Sequence, residues 1–165
     1  MTNKEMIVNY NGLAYMQELE KRYSDRTGEK LFQGRMRIIY AMKKNMNEFA
    51  EKLKPYNEAR DELTKEYRDL EAEKRADVEL KNKIVKSQEG TERYEEEFQE
   101  YGRRAALLPI QMQEGKDRAE YGRKLEELLN IDVRDVAVHK ISLDALEGIE
   151  LDSQEFEFLM FMLEE

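Results

Sequence analysis

The feature that most restricts what this chain can fold into is a run of apolar residues between Ile39 and Leu70. Ile39, Met42, Met46, Phe49, Leu53, Tyr56, Leu63, Tyr67 and Leu70 follow alternating steps of three and four, with Arg60 as the single interruption. On a helix these steps keep one side continuously apolar, and such a seam has to be covered by a neighbouring helix in coiled-coil fashion. A continuous helix from about Leu31 to Ile84 would be about 80 Å long at 1.5 Å per residue. Pro55 lies inside the pattern and has no amide hydrogen, so a kink or a break is expected there, with Pro55 able to open a second helical segment. The helix then either folds back at Pro55 or projects as an arm.

Composition sharpens the demand for a partner helix. Of 165 residues, 39% are charged and only 37 are Leu, Ile, Val or Phe, close to the limit below which chains bury too little apolar surface to fold. The core is therefore thin, and the seam closes either within one chain or between copies. The absence of cysteine excludes a disulfide framework, a thiolate nucleophile and Cys-ligated zinc or iron–sulfur sites. Met1 to Tyr10 lacks the basic-then-apolar pattern of a signal peptide, and no run of eighteen apolar residues occurs, so neither a leader nor a membrane span is expected. A formal net charge of −9 argues against direct binding to nucleic acid backbone, which needs clustered Lys and Arg.

Outside the seam the pattern is mixed. Met6 to Tyr10, followed by Asn11-Gly12, reads as a short strand ending in a tight turn. From Leu13 the spacing of Leu13, Met16, Leu19 and Tyr23 predicts a helix stopped at Thr27-Gly28. Ser87 to Thr91 is a turn, and Tyr94, Phe98 and Tyr101 give the next segment the spacing of a short acidic helix. Gly102 and Pro109 bracket a joint. Ala119, Leu125, Leu128 and Leu129 suggest a helix ending at Asn130, weakened by Gly115 and Gly122. Val136 and Val138 alternate with Ala137 and His139 as in a short strand able to pair with Ile7 and Val8, tying the two ends of the chain together. Ser142 to Gly148 reads as one helical turn, and Asp152 or Ser153 caps a last helix with Phe156, Leu159, Met160 and Leu163 on one face.

Few residues suggest chemistry. His139 is the single histidine, and it lacks the companions of a catalytic triad or zinc site in its neighbourhood. Glu62 with Glu66, and Glu92 with Glu96, stand at i and i+4 and could co-ligate a metal, yet the Glu-x-x-His motifs of di-metal bundles are missing, so no metal is expected. No phosphate-binding glycine motif or calcium loop occurs, and no cofactor is implied. The signs of charge are more informative. Lys21 to Lys54 is net positive by six, Gln88 to Glu100 net negative by five, and the chain from Ile141 onward has eight acidic residues and no Lys or Arg. That asymmetry can hold the two ends of one molecule together, order copies head to tail, or fit an acidic face into a cationic groove of a target. Arg35, Arg37, Lys43 and Lys44 alternate with Met and Ile, as on a solvated helix face.

Several stretches, Ile7-Val8-Asn9-Tyr10-Asn11-Gly12-Leu13, Lys44-Asn45, Leu53-Lys54-Pro55-Tyr56-Asn57-Glu58-Ala59-Arg60-Asp61-Glu62-Leu63 with Tyr67, Val136 to Ile141, and Leu159 to Leu163, together resemble small proteins of unknown function encoded by phages of Gram-positive bacteria. The resemblance spans nearly the whole chain, apart from Gly115 to Gly122. It implies a phage or prophage origin and an α-helical hairpin with a small strand pairing, and it carries over no catalytic residue.

The expectation is a mainly α, minor α+β single domain over 1–165. A long helical hairpin or coiled-coil arm, 31–86, would stand on a base of 1–30 and 110–165 with a short two-stranded sheet. The function expected is non-enzymatic protein binding in the host cytoplasm or the virion, with no membrane association. One version inhibits a host or defence protein through Glu95, Glu96, Glu97, Glu100, Glu155 and Glu157; the alternative is a virion assembly component that self-associates through the seam.

Overall fold

The computed structural model describes residues 1–164. It is mainly helical, with seven α-helices among the described residues: α1 Asn3–Thr27, α2 Met36–Lys52, α3 Lys54–Tyr67, α4 Leu70–Ile84, α5 Glu92–Ala105, α6 Arg118–Leu129 and α7 Ser153–Met160, with a 3₁₀ turn at Leu143–Leu146. The chain divides into two compact units. One comprises Met1–Ala59 and the chain from Glu126 onward; the other is Arg60–Leu125. The stretch 31–86, expected as one arm, is thus shared between the units, its residues up to Ala59 belonging to the first.

In the first unit, α1 packs against α2 and α7. The expected strand at Met6 to Tyr10 is instead part of α1, which begins ten residues before Leu13. A capping box explains the early start: the Thr2 hydroxyl accepts from the Glu5 amide at 3.2 Å while the Glu5 carboxylate accepts from the Thr2 amide at 2.7 Å. Two of the free donors at the helix start are thereby satisfied. Met6, Leu13 and Met16 share one face and are fully buried, whereas Val8 is exposed. Helical periodicity from a capped start outweighs two β-branched residues. Gly12 is no turn residue; it is buried in mid-helix, where a Cβ would come within 2.8 Å of the Phe158 ring. The glycine lets α7 close on α1.

Among the described residues the two-stranded sheet is not seen. Val136 and Val138 are half-buried against the core while Ala137 and His139 are exposed, so the alternation is present without a partner strand. Side chains of α2 take the place of a strand. Asn45, fully buried, accepts from the His139 amide at 2.7 Å and donates to the His139 carbonyl at 3.0 Å, and Glu48 accepts from the Ala137 amide at 3.2 Å. These bonds satisfy backbone groups that a ladder would otherwise serve. Among the described residues the remaining pairing consists of isolated bridges, Thr2 with Asp132 and Ile141 with Leu163 in this unit, and Arg68 with Met112 in the other.

The seam is cut twice. At the first cut α2 ends at Lys52 and α3 begins at Lys54, with Pro55 second in the new helix. Leu53 joins them, its amide donating to the Phe49 carbonyl and its carbonyl accepting from Asn57, both at 2.9 Å. Proline here opens a segment, where its missing donor is least costly. The second cut, at Arg68 and Asp69, has neither glycine nor proline. It is held by an extended stretch: Asp69 donates its amide to the Gln111 carbonyl, and Gln113 donates to the Tyr67 carbonyl, each at 2.9 Å. Asp69 then caps α4 by accepting from the Ala72 amide.

As a result the seam residues part company. Met42, Phe49, Leu53 and Tyr56 are buried, with Ile39 and Met46 half-buried, in the core of the first unit alongside Phe32, Ile38, Ile141, Leu146, Leu159 and Met162. Leu63 and Tyr67 are buried in the second unit. Leu70 belongs to no buried seam and is 44% exposed. The hairpin of the second unit is formed by α4 against α5, not by a helix of Leu31 to Ile84 folding back at Pro55.

Candidate partner-binding surface

The acidic residues singled out from the sequence lie on two helices in two units. On α5, Tyr94, Phe98 and Tyr101 form a row of ring contacts, stacked at the first step and tilted at the second, with centroids 5.7 Å apart at each, and Lys81 of α4 lies over Phe98 and Tyr101. That row turns toward α4, where the Tyr101 hydroxyl donates to Asp77 at 2.7 Å. The helical repeat therefore sends Glu92, Glu95 and Glu96 outward, and all three are exposed.

Glu97 and Glu100 serve the fold. The Glu97 carboxylate accepts from the Lys86 and Ser87 amides at 2.7 and 2.8 Å, from the Ser87 hydroxyl and from Arg93. Donors of this number, led by the two backbone amides, hold its pKa down at about 2. Glu97 thus stitches the turn between α4 and α5. Glu100 receives Arg104 at 2.6 Å and Arg103 at 2.8 Å, which lower its pKa as well. On α7, Glu155 closes a capping box with Asp152, whereas Glu157 is exposed. Of the six carboxylates, Glu95, Glu96 and Glu157 face solvent free of such duties, and Glu97, Glu100 and Glu155 are engaged within the chain.

The first unit also has an acidic concavity formed by none of these six glutamates. An open hollow of about 690 Å³ is lined by Leu143, Asp144, Leu146, Glu147, Ile149, Leu151, Asp152, Ser153 and Phe156. Its signal in the sequence is the lack of any Lys or Arg beyond Lys140, together with apolar residues that the short 3₁₀ turn and the left-handed Gly148 (φ 75°) fold around one hollow.

The basic residues expected on a solvated face are distributed in the same way. Arg37, Lys43 and Lys44 are exposed, Lys44 lying over the Tyr40 ring at 5.6 Å. Arg35 donates to the Glu147 carbonyl at 2.5 Å. His139 meets Tyr40 edge-on at 6.1 Å, and its backbone is the part bound by Asn45. Glu66 accepts from Lys116 at 2.7 Å, while Glu62 is exposed. Among the described residues no cluster of three or more His, Cys, Asp or Glu is arranged to hold a metal, and no helix is long and apolar enough to cross a membrane.

No protein-family model, curated protein or solved structure matches this chain.

Proposed function

We propose that the protein is a non-enzymatic binding protein of phage type that engages a host or defence protein carrying a basic surface. The observation behind this reading is the outward set of carboxylates, Glu95 and Glu96 on α5 and Glu157 on α7, which stand exposed and outside the bonds that hold the fold together. Exposed like charges do little for stability and raise the rate and selectivity of association with an oppositely charged partner. A protein that handles nucleic acid offers such a surface, and the host cytoplasm is where the two would meet. The alternative, a virion component assembling through the helical seam, has less support, because Phe49, Leu53, Tyr56, Leu63 and Tyr67 are buried within the chain.

The test combines solution mass with charge reversal. Light scattering is expected to give a monomer of 19.7 kDa, and the Glu95→Lys/Glu96→Lys/Glu157→Lys variant is expected to keep its helical circular dichroism while losing at least tenfold in affinity for a host protein captured by the wild type. A stable oligomer dissolved by Phe49→Asp would turn the argument to assembly. Equal capture by wild type and variant would remove the charge-driven reading.

A further inference from the structure

The hollow in the first unit combines an apolar lining with acidic residues, and no basic residue lines it. Leu143 is 57% exposed, and Ile149, Leu151 and Phe156 are half-buried, so apolar side chains are presented to solvent around one concavity. Its size falls in the range of sites that hold small ligands or a few side chains. Two lining carboxylates, Asp144 and Glu147, are exposed. The third, Asp152, is committed to the α7 cap, where it accepts from the Glu155 amide at 2.8 Å. Basic side chains stand at its border: Arg35 donates to the Glu147 carbonyl at 2.5 Å and, with Arg37, lines an adjoining hollow that shares Asp144, while Lys140 donates to the Phe161 and Leu163 carbonyls at 2.9 and 3.1 Å. The walls are fixed in advance by the 3₁₀ turn, by Gly148 and by the Asp152–Glu155 capping box, so little ordering is needed when something binds.

An apolar surface excludes water from a contact, and carboxylates beside it select the sign of what lands there. We propose that this hollow docks a short lysine- or arginine-bearing segment of a protein partner, which seats an aliphatic side chain against Leu143, Ile149 and Phe156 and its cations at Asp144 and Glu147. The proposal takes the positive charge of the partner from the function proposed above, and adds a place and an apolar anchor.

The probe is a fluorescein-labelled, capped nonapeptide of the repeat Lys-Leu-Lys, followed by fluorescence anisotropy at about 0.15 M salt, where long-range attraction is screened. Saturable binding is expected, weakened tenfold or more by Asp144→Lys/Glu147→Lys and threefold or more by Leu143→Ser. All three positions are exposed, so the fold should tolerate these changes, and circular dichroism checks that it does. Glu95→Lys/Glu96→Lys, in the other unit, should change affinity less than twofold. If that α5 variant weakens the peptide and the hollow variants do not, the docking site is wrong while the acidic-binder reading stands. A peptide with serine in place of leucine that binds equally well overturns the apolar anchor. Absence of saturable binding to the wild type overturns the docking site, and the acidic-binder reading is then decided by the capture experiment above.

Discussion

The two units solve the same problem, covering one long apolar seam, in different ways. The first gathers fourteen buried side chains from α1, α2, α3, the Leu31–Gly34 turn and the C-terminal segments into one core. In the second, α4 and α5 contribute no buried residue at all, and burial is confined to Leu63, Tyr67 and Tyr121. Its order comes from polar clasps instead. Arg68 makes a two-pronged pair with Glu73, which also accepts from the Gln111 amide at 3.0 Å. Lys116 and Lys124 lie over the Tyr67 ring at 4.6 and 4.8 Å, and Glu97 ties the hairpin turn. The contrast teaches that equal helical content does not mean equal stability. Apolar burial yields about 25 cal/mol per Å², whereas exposed ion pairs contribute about 0–1 kcal/mol each.

The sharpest way to break the comparison is Phe49→Ala. Phe49 is fully buried and packs on Phe161, so denaturant titration should show a loss of about 3–5 kcal/mol; a loss below about 1 kcal/mol would mean that this core is no denser than the hairpin. Asn45→Ala comes next, at about 2 kcal/mol, because it strips both bonds from the His139 backbone. Faster amide hydrogen exchange at His139 would report it directly, and unchanged exchange would show that the extended segment holds itself.

In the second unit Glu73→Gln should cost about 1 kcal/mol, reduced from the value for a buried charged bond by partial exposure. Hydrogen exchange by mass spectrometry should place that change in α4 and α5, which are also expected to exchange faster than α1 and α2 in the wild type. Equal protection in both pairs of helices would erase the distinction.

Smaller still is the acid response of the hairpin turn. The Glu97 pKa lies at about 2, below its usual 4.5, so its contribution is complete above about pH 4.5 and is lost as pH falls toward and through about 2. An NMR titration of the Glu97 carboxyl should give that low midpoint, with Ser87 losing amide protection over the same window; a midpoint near 4.5 would mean that the stitch is not formed. Smallest of all, Val78→Ser on the exposed side of α4 should move stability by less than about 0.5 kcal/mol, because Val78 is 48% exposed.

Much of the helical pattern was legible along the chain. The stop at Gly28, the break beside Pro55, the acidic helix after Thr91, the turn closing at Gly148 and the cap at Asp152 each depend on a side chain or a glycine acting within a few residues. The strand expected at Met6 failed for a local reason, since the Thr2–Glu5 capping box and the Met6, Leu13, Met16 face outvoted Ile7 and Val8. The strand expected at Val136 failed for a distant one. Its inward and outward faces follow its alternation, but its backbone partner is Asn45, 94 residues away. Of the candidate carboxylates, sequence located the acidic stretches and could not separate outward Glu95 and Glu96 from engaged Glu97, because that depends on where the Lys86–Ser87 turn lies.

The sequence by itself determined that this protein is mainly helical, where most helices stop, and that its charges are segregated. Those outcomes follow from short-range steric, capping and periodic effects. Tertiary structure alone decided that the Ile39–Leu70 seam is divided between two units, that Gly12 receives Phe158, and that Leu143, Ile149 and Phe156 line one acidic hollow. These are contacts between residues far apart in the chain, and their pairing is set by which faces can pack together, information that no local window contains.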